Sequence, residues 1–371
     1  MHQILFTIRL SSIWEALPDL PIYGYGTMLF VAFLACLWLA KRLSRREGIP
    51  EGTFADIAVW LFLAGIFGAR LTFYIQYQSQ FQTIGQFFAI WDGGLVFYGS
   101  FFGGLIGYLF IWRFYLRKRH ISNWKMLDVL APCLALGLAI GRLGCLMNGC
   151  CYGNVACSDC PAIHFPLASA PRFDMTERGY QTAAGFTADP RTATVEDVDP
   201  HSALAGVLKK GDRIVSVDLK EPYKVDGYDT LNLAFSQSLW PRGQNTLQMT
   251  VLRDGKEVAV EPVVPRGIGL HPTQIYETIS MALLTFMLLS YYPFKRRDGM
   301  VLVLWMACYA MHRFLNEMLR TDTKPVAFGM TLSENISLLI GAAAIVLFVI
   351  IRLKGEDPEP PPAPSMAPST V

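Results

Sequence analysis

Four long stretches of the chain contain no charged residue, and they constrain its fold more than any other feature. These stretches are residues 21–40, 93–112, 278–294 and 335–351. Because an α-helix rises about 1.5 Å per residue, about 20 such residues cross the roughly 30 Å hydrocarbon layer of a membrane. Only 17% of the 371 residues are charged and 52% are hydrophobic, too little charge to cover a soluble protein of this size. The sequence therefore predicts an all-α polytopic membrane protein, and a net charge of only +2 argues against binding nucleic acid.

Further apolar segments bring the predicted transmembrane helices to seven. Their approximate bounds are 21–41, 54–76, 93–113, 127–148, 270–292, 299–319 and 331–352. Lys and Arg residues follow the first, third, fifth and seventh spans, within 41–46, 113–119, 295–297 and 352–354. Because basic loops stay in the cytoplasm, the N-terminus is predicted to lie outside and the C-terminus in the cytoplasm.

A polar segment from about 149 to 269 separates spans four and five and, in this orientation, lies outside the cytoplasm. It contains a predicted strand after Lys210-Gly211-Asp212 and a predicted hairpin with its turn at Asp254-Gly255. These strands and the phrase GVLKKGDRIVSVD resemble a bacterial PDZ domain over about 192–265. The predicted order is spans one to four (1–148), an extracytoplasmic cysteine-rich linker (149–191), a small β-rich PDZ-like insert (192–265), spans five to seven (266–354) and a disordered proline-rich tail (355–371).

Three arginines interrupt apolar spans, where an unpaired charge costs a few kcal/mol or more. Arg70, Arg142 and Arg313 fall in spans two, four and six, each in the outer half. Guanidinium groups bind phosphate oxygens through paired hydrogen bonds, so a cluster at this depth predicts a site for a lipid phosphate. The alternative is that each side chain extends to the headgroups or forms a local ion pair, as Arg313 would with Glu317.

Other polar residues are predicted at the same membrane depth. Tyr25 and Tyr98 open the first and third spans, His271 opens the fifth, and Asn148 ends the fourth. An aromatic belt at the membrane surface is the alternative for the two tyrosines. Taken with the arginines, these groups predict a lipid-headgroup site near the outer surface.

Three motifs resemble those of a known family: GRLGCLMNGCCYG at 141–153, HPTQIYE at 271–277 and RFLNEMLR at 313–320. In order and membrane depth they are similar to the motifs of bacterial prolipoprotein diacylglyceryl transferases, and the resemblance extends over all seven spans. It implies a multi-pass enzyme of the bacterial inner membrane with its active site toward the outer leaflet. Such an enzyme moves the diacylglyceryl group of phosphatidylglycerol to the lipobox cysteine thiol of a prolipoprotein, forming a thioether and releasing glycerol phosphate. No cofactor is implied.

The resemblance also implies roles for individual residues. Arg142 would hold the phosphate of phosphatidylglycerol, with Asn148 and Gly153 shaping the turn beside it. Arg313 would assist the leaving group, and Glu317 would form the same side of the site. The remaining residues implied to bind substrate are Arg70, Tyr25 and Tyr276.

One departure from the family leaves the general base open. Where the family has histidine in a Phe-His-Gly-Gly stretch, this chain has Tyr98, and a tyrosine acts as a base only if its pKa near 10 is strongly lowered. His271 is the other candidate, although a histidine at a helix start also commonly bonds the backbone. Both are predicted catalytic residues, together with Arg313 and Glu317.

Five of the eight cysteines fall within one short segment: Cys145, Cys150, Cys151, Cys157 and Cys160. Thiols outside the cytoplasm tend to oxidise, so disulfides are the first interpretation. Free thiols and a metal site are the alternatives. No metal is assigned, because the adjacent Cys150 and Cys151 are poorly spaced for a zinc knuckle.

Three other classes of function fit parts of the sequence. An intramembrane metalloprotease also carries a PDZ-like insert, but it needs two histidines and a glutamate on one helix face, and the sequence has no HExxH motif. A transporter would show repeated halves, and the sequence shows no internal repeat. A lipid-binding relative that lost catalysis with the histidine at position 98 is the alternative to the enzyme. The PDZ-like insert is expected to dock prolipoproteins or an envelope-protein partner, with a passive spacer as the alternative.

Overall fold

The computed structural model describes most of the chain. The described residues are 4–9, 20–50, 52–78, 87, 96–157, 159–167, 169–178, 180, 185–189, 191–200, 202–235, 239–241, 244, 246–320 and 325–354. The predicted tail at 355–371 lies outside them, as does the side chain of Tyr98.

Within the described residues, a helix lies at the position of each of the seven predicted spans. The first four are α1 (Gly24–Arg46), α2 (Thr53–Gln76), α3 (Phe97–Ile111) and α4 (Asn123–Asn148). Two short helices follow, α5 (Ala170–Glu177) and α6 (Tyr228–Ala234), and then come α7 (Thr273–Tyr291), α8 (Met300–Glu317) and α9 (Leu332–Lys354). Five helices, α1, α2, α4, α7 and α9, are long and apolar enough to cross a membrane. Helix α3 has only 15 residues, and polar residues in the last turns of α8 reduce its hydropathy.

Local sequence signals account for where these helices end. Helix α1 carries Arg45 and Arg46 in its last turn, where positive charge favours the helix dipole. Gly48 then adopts a left-handed φ of 67°, and the Ile49 N–H donates to the Ser44 carbonyl at 3.0 Å. This glycine-terminated turn satisfies carbonyls that the helix end would leave without a partner. Helix α3 instead continues through a π-helical turn (Trp112–Leu116) into a 3₁₀ turn (Arg117–Arg119).

The chain divides into two compact units. Unit 1 comprises Met1–Met28, Gly141–Thr278 and Leu315–Leu332, and unit 2 comprises Leu29–Ile140, Ile279–Phe314 and Ser333–Val371.

Unit 2 is helical and has one large apolar core. Helices α1, α2, α4, α7 and α8 contribute buried side chains to it, including Leu43, Ile57, Met126, Leu288 and Val301. These side chains are nearly or fully enclosed by the protein, so they hold the helices of this unit together by close packing.

A buried ionic group joins three helix ends of unit 2. Lys295 Nζ lies 2.7 Å from Glu47, 3.1 Å from Asp128 and 3.3 Å from Asp298. Asp128 is fully buried, and it also accepts the N–H groups of Gly299 at 2.8 Å and Val301 at 3.0 Å. The carboxylate therefore caps the start of α8 while it holds the lysine.

Unit 1 contains the strands of the described chain. They are β1 (Ile4–Ile8), β2 (Leu20–Tyr23), β3 (Ile163–His164), β4 (Phe186–Ala188), β5 (Val195–Val198), β6 (Arg213–Asp218), β7 (Pro222–Lys224), β8 (Met249–Arg253), β9 (Lys256–Ala259), β10 (Gly269–Leu270), β11 (Pro325–Ala327) and β12 (Met330–Thr331). An antiparallel sheet in the order β7-β6-β8-β9 forms the centre of the insert, and β4 pairs with β5 beside it. The β-rich region thus includes residues from Phe186 onward.

The two turns predicted in the insert are confirmed. Strand β6 begins two residues after Gly211, which has a φ of 95°. Strands β8 and β9 pair through Arg253 and Lys256, and Asp254 and Gly255 between them both have positive φ. Positive φ at both central residues is typical of the two-residue hairpin turn that matches the twist of antiparallel strands.

Arg253 on β8 forms an ion pair with the residue that precedes the neighbouring strand β6. Arg253 donates from Nε to Asp212 Oδ1 at 2.8 Å and from Nη2 to Oδ2 at 2.6 Å. These bonds lower the pKa of the Asp212 carboxyl, and its second oxygen also accepts the Lys209 N–H at 2.8 Å. Because Asp212 directly precedes β6, the bidentate pair joins two neighbouring strands.

Candidate functional site

A buried ion pair lies in unit 1 near the ends of three helices. Arg142 on α4 donates from Nε to Glu277 Oε2 on α7 at 2.9 Å. Asn316 on α8 donates from Nδ2 to the same oxygen at 3.0 Å. Glu277 is 1% exposed and Asn316 is 4% exposed, so the carboxylate is held by protein groups. A charge this deeply buried is stable only when it is paired and hydrogen-bonded.

The turn after α4 is anchored to the start of α7. Gln274 Nε2 donates to the Cys150 carbonyl at 2.7 Å, and Thr273 Oγ1 donates to the Cys151 carbonyl at 2.6 Å. The Gly149 N–H donates to the Cys145 carbonyl at 2.9 Å and closes the last turn of α4. These bonds fix the backbone directly after the helix that carries the buried arginine.

Gly153 lies where two other segments of unit 1 approach the turn. Its N–H donates to the His271 carbonyl at 2.9 Å, and the next N–H, of Asn154, donates to the Leu319 carbonyl at 2.8 Å. A Cβ at this position would lie 2.8 Å from His271 Cβ, 2.8 Å from Thr273 Cγ2 and 2.9 Å from the Leu319 carbonyl oxygen. Only glycine fits such a close approach, because real Cβ atoms do not come so near to neighbouring atoms.

Four other predicted residues of unit 1 lie around this turn. His271 Nδ1 lies 3.3 Å from the Tyr276 hydroxyl, which also donates to the Pro161 carbonyl at 3.4 Å. Tyr25 is 40% exposed and packs against Gly144, because a Cβ on Gly144 would lie 3.0 Å from Tyr25 Cδ2. Asn148 is the last residue of α4, directly before the turn.

Glu317 ends α8 in unit 1. It is 2% exposed, and its Oε1 accepts a hydrogen bond from Thr331 Oγ1 at 3.1 Å. The carboxylate is therefore buried and connected to the short strand β12.

Arg70, Tyr98 and Arg313 belong to unit 2. Arg70 is 5% exposed, donates from Nε to the Phe87 carbonyl at 2.8 Å and lies 5.4 Å from the centre of the Phe73 ring. Arg313 donates from Nη2 to Ser333 Oγ at 2.8 Å. Tyr98 is the second residue of α3, and its side chain is outside the described part of the structure.

The cysteine-rich segment contains one disulfide and three free thiols among the described residues. Cys157 and Cys160 form the disulfide, as the first interpretation of the sequence expected for the segment. Cys145, Cys150 and Cys151 do not follow that interpretation, because their thiols are free. Their sulfur atoms all lie within 4.8 Å of one another.

The Cys151 thiol has an unusual environment. Its pKa is lowered because the thiols of Cys145 and Cys150 hydrogen-bond to its sulfur. The positive charges of Arg142 and Arg320 lower the pKa further. The residue also has a φ of 60°, a left-handed conformation that is uncommon outside glycine and is often found at functional sites.

Two members of the site were not among the predicted site residues. Glu277 ends the HPTQIYE motif, and it is an acidic residue at the start of an otherwise apolar helix. That position was a signal for a partner of one of the arginines. Asn316 lies within the RFLNEMLR motif, but only the folded structure brings its amide to the carboxylate.

Helices of membrane-spanning length, together with a buried arginine–carboxylate pair at their ends, define a multi-pass membrane protein with a polar site. Residues 12–350 match the family model described as "Prolipoprotein diacylglyceryl transferase". This chain therefore belongs to the prolipoprotein diacylglyceryl transferase family.

Individual relatives agree with that membership. The chain is 30% identical to the "Phosphatidylglycerol--prolipoprotein diacylglyceryl transferase" of Rhodopirellula baltica over 91% of this chain and 73% of that protein. It is 25% identical to the protein of the same name from Clostridium tetani over 90% of this chain and 95% of that protein. The corresponding protein of Limosilactobacillus reuteri is 37% identical over 36% of this chain and 48% of its own length.

Proposed function

We propose that this chain is an enzyme that transfers the diacylglyceryl group of phosphatidylglycerol to the lipobox cysteine thiol of prolipoproteins. The reaction forms a thioether and releases glycerol phosphate. The relatives in Rhodopirellula baltica and Clostridium tetani are named for this donor and acceptor, and they cover most of the chain. The observation that carries the proposal is the ion pair between Arg142 and Glu277, which holds a guanidinium group near the end of a membrane-spanning helix.

We propose that the two Nη groups of Arg142 bind the phosphate. The Arg142 Nε is engaged by Glu277, and a guanidinium group has further N–H donors on its two Nη atoms. Because Glu277 is almost fully buried and also bonded to Asn316, it orients the arginine. A guanidinium group oriented in this way binds a phosphate with little loss of side-chain entropy.

The chemical step breaks the bond between the glyceryl carbon and the phosphate oxygen. The lipobox thiol loses its proton to a base, the thiolate sulfur attacks the glyceryl carbon, and the bonding electrons leave with the glycerol phosphate. Negative charge therefore grows on the phosphate oxygens, where fixed positive groups stabilise the transition state. We assign this role to Arg142, with Arg313 assisting the leaving group and Glu317 forming the same side of the site.

The remaining proposed roles concern the base and the substrate contacts. A thiol has a pKa of about 8.5 and reacts faster as the thiolate, so a base adjacent to it raises the rate. We propose His271 or Tyr98 as this base, and the contact of His271 with Tyr276 supports a fixed orientation of the imidazole ring. The proposed substrate contacts are Tyr25, Arg70, Asn148, Gly153 and Tyr276.

We also propose the topology expected from the sequence. Helices α3 and α8 add two spans to the five helices of sufficient length and hydropathy, the N-terminus lies outside, and the C-terminus lies in the cytoplasm. In this arrangement the site faces the outer leaflet of the bacterial inner membrane. The linker at 149–191 and the PDZ-like insert at 192–265 are extracytoplasmic, where the insert docks prolipoproteins or an envelope-protein partner.

A mass measurement tests the proposed reaction. Purified protein in detergent is incubated with phosphatidylglycerol and a lipobox peptide, and we expect the peptide to gain one diacylglyceryl group on its cysteine. Arg142→Ala should reduce the rate by about 10²–10³-fold, the usual effect of removing one transition-state donor. Tyr98→Phe and His271→Ala, measured in the same way, identify the base.

The control is Arg117→Ala, which removes an exposed arginine of the 3₁₀ turn and should leave the rate unchanged. A wild-type protein that binds phosphatidylglycerol but produces no modified peptide would contradict the enzyme and favour a lipid-binding relative without catalysis. Full activity in Arg142→Ala would contradict the assigned phosphate ligand.

A further inference from the structure

Three thiols that the proposed reaction does not use converge in unit 1. The sulfur atoms of Cys145, Cys150 and Cys151 all lie within 4.8 Å of one another, and all three residues are partly buried. Cys157 and Cys160 are joined to each other and take no part. Three sulfur donors directed to one point form the donor set that thiophilic metal ions prefer.

The sulfur spacing fits a single ion. A metal–thiolate bond of about 2.3 Å places three sulfurs about 4 Å apart in a trigonal or tetrahedral site. The three sulfurs here need to approach by less than about 1 Å to reach that spacing. We propose that Cys145, Cys150 and Cys151 bind one thiophilic d¹⁰ metal ion, Zn²⁺ or Cu⁺.

The backbone around these residues is already held in place. Cys145 lies in the last turns of α4, and the carbonyls of Cys150 and Cys151 accept hydrogen bonds from Gln274 and Thr273. Rigid ligand positions reduce the entropy lost when an ion binds, and they are a feature of built metal sites.

The surrounding charges also suit a thiolate site. Three thiols release their protons when they bind a metal, and the resulting group carries net negative charge for either ion. The positive charges of Arg142 and Arg320 both act on Cys151. They therefore offset the charge that metal binding creates.

Metal binding would stabilise the turn beside the arginine–carboxylate pair. The three cysteines span the end of α4 and the turn that leads to Gly153. An ion bound to all three connects the helix to this turn, so its role is to hold the local structure. The ion does not take part in the proposed transfer reaction.

Metal content and thiol protection test the site. Full-length protein in detergent is reduced without oxygen, freed of metal with a chelator, and titrated with Zn²⁺ or Cu⁺ in separate experiments. We expect one ion per chain, and protection of Cys145, Cys150 and Cys151 from maleimide in a peptide-mapped mass spectrum. Titration with Co²⁺ distinguishes the two ions. Co²⁺ should bind in place of Zn²⁺ at a tetrahedral site and give thiolate-to-cobalt absorption, whereas a trigonal site that prefers Cu⁺ should not give it.

Three sets of variants locate the binding. Serine at any of the three positions should weaken binding by more than the roughly 10–100-fold loss caused by changing a residue outside the ligand shell. The control Cys308→Ser, which alters a free thiol on α8, should bind as the wild type does. Cys157→Ser with Cys160→Ser should also retain binding, and it removes the two thiols that the reductant exposes.

Any of four results would overturn the proposal. These are wild-type binding by all three single serine variants, loss of binding in the Cys157 and Cys160 double variant, no thiol protection in the wild type, and a native disulfide among Cys145, Cys150 and Cys151. Thiol protection is measured on the wild-type protein, so it remains decisive even if a serine variant does not fold.

Discussion

At the scale of single residues, the buried pair of Arg142 and Glu277 is the main finding. Each residue alone would be costly at this depth, because an isolated charge is strongly disfavoured in an apolar environment. Arg142 Nε and Asn316 Nδ2 both donate to Glu277 Oε2, at 2.9 and 3.0 Å. The structure therefore gives Arg142 an ion-pair partner, and phosphate binding by its Nη groups stays a prediction.

Glu277→Gln tests whether the charge of this carboxylate orients Arg142. Glutamine keeps the length of the side chain and an oxygen for Asn316, but it removes the ion pair. We expect kcat/KM for thioether formation to fall by about 10²-fold, because small displacements of a positioning group have effects of this size. Glu277→Asp, which keeps the charge, should retain more activity. The assay is the mass shift of the lipobox peptide.

The matched control is Glu257→Gln, the same change at an exposed position of β9. Its kcat/KM should equal that of the wild type. If Glu277→Gln has wild-type kcat/KM and an unchanged unfolding temperature, the carboxylate does not orient the arginine.

At the scale of elements, the packing of α2 against α3 depends on glycine. A Cβ on Gly68 would meet the Gly99 carbonyl and lie 2.7 Å from Gly103 Cα. A Cβ on Gly103 would meet the Ala64 carbonyl and lie 2.9 Å from Gly68 Cα. Helices in membranes associate closely through such small residues, because lipid provides no hydrophobic drive for helix association.

Gly103→Ala should destabilise this pair of helices. The obstructing atoms belong to the backbone of α2, so the helices must separate, and overpacking of this kind typically costs about 1–3 kcal/mol. Gly104→Ala is the control on the same helix, since a Cβ there has no heavy atom within 4 Å. We expect thermal unfolding in detergent to shift downward for the first variant and to remain the same or rise for the second. Equal shifts would show that the close approach does not limit stability.

At the scale of the whole molecule, the insert is a β-rich element between α4 and α7. Its sheet has a buried core that includes Leu204, Ile214, Val217, Met249 and Val251. This core and the Asp212–Arg253 pair give the insert internal stability that a passive linker does not need. The insert is therefore a folded unit, and its role as a docking module stays a prediction.

Deletion of 192–265, replaced by a short linker, tests recruitment by the insert. If the insert docks prolipoproteins, turnover of full-length prolipoprotein should fall while turnover of a short lipobox peptide is retained. The ratio of the two kcat/KM values is the measurement, and the full chain provides the reference. Equal turnover of both substrates by the deletion variant would exclude recruitment. Arg253→Ala, which weakens the sheet without removing it, should give a smaller change in the same direction.

The sequence by itself determined where helices lie at the predicted spans, five of them long and apolar enough to cross a membrane. It also determined the two turns of the insert and the polar residues at the helix ends. A long uncharged run predicts a helix because the backbone inside a membrane must satisfy its own hydrogen bonds. Glycine turns are likewise readable from sequence, because they depend on neighbouring residues only. Only the tertiary structure decided which partners these residues have. It paired Arg142 with Glu277, it joined Cys157 to Cys160, and it left three other thiols together. Arg142 and Glu277 come from distant parts of the chain, so only the packing of helix ends brings them together. The cysteines are close in sequence but allow several pairings, and the folded turn selects among them.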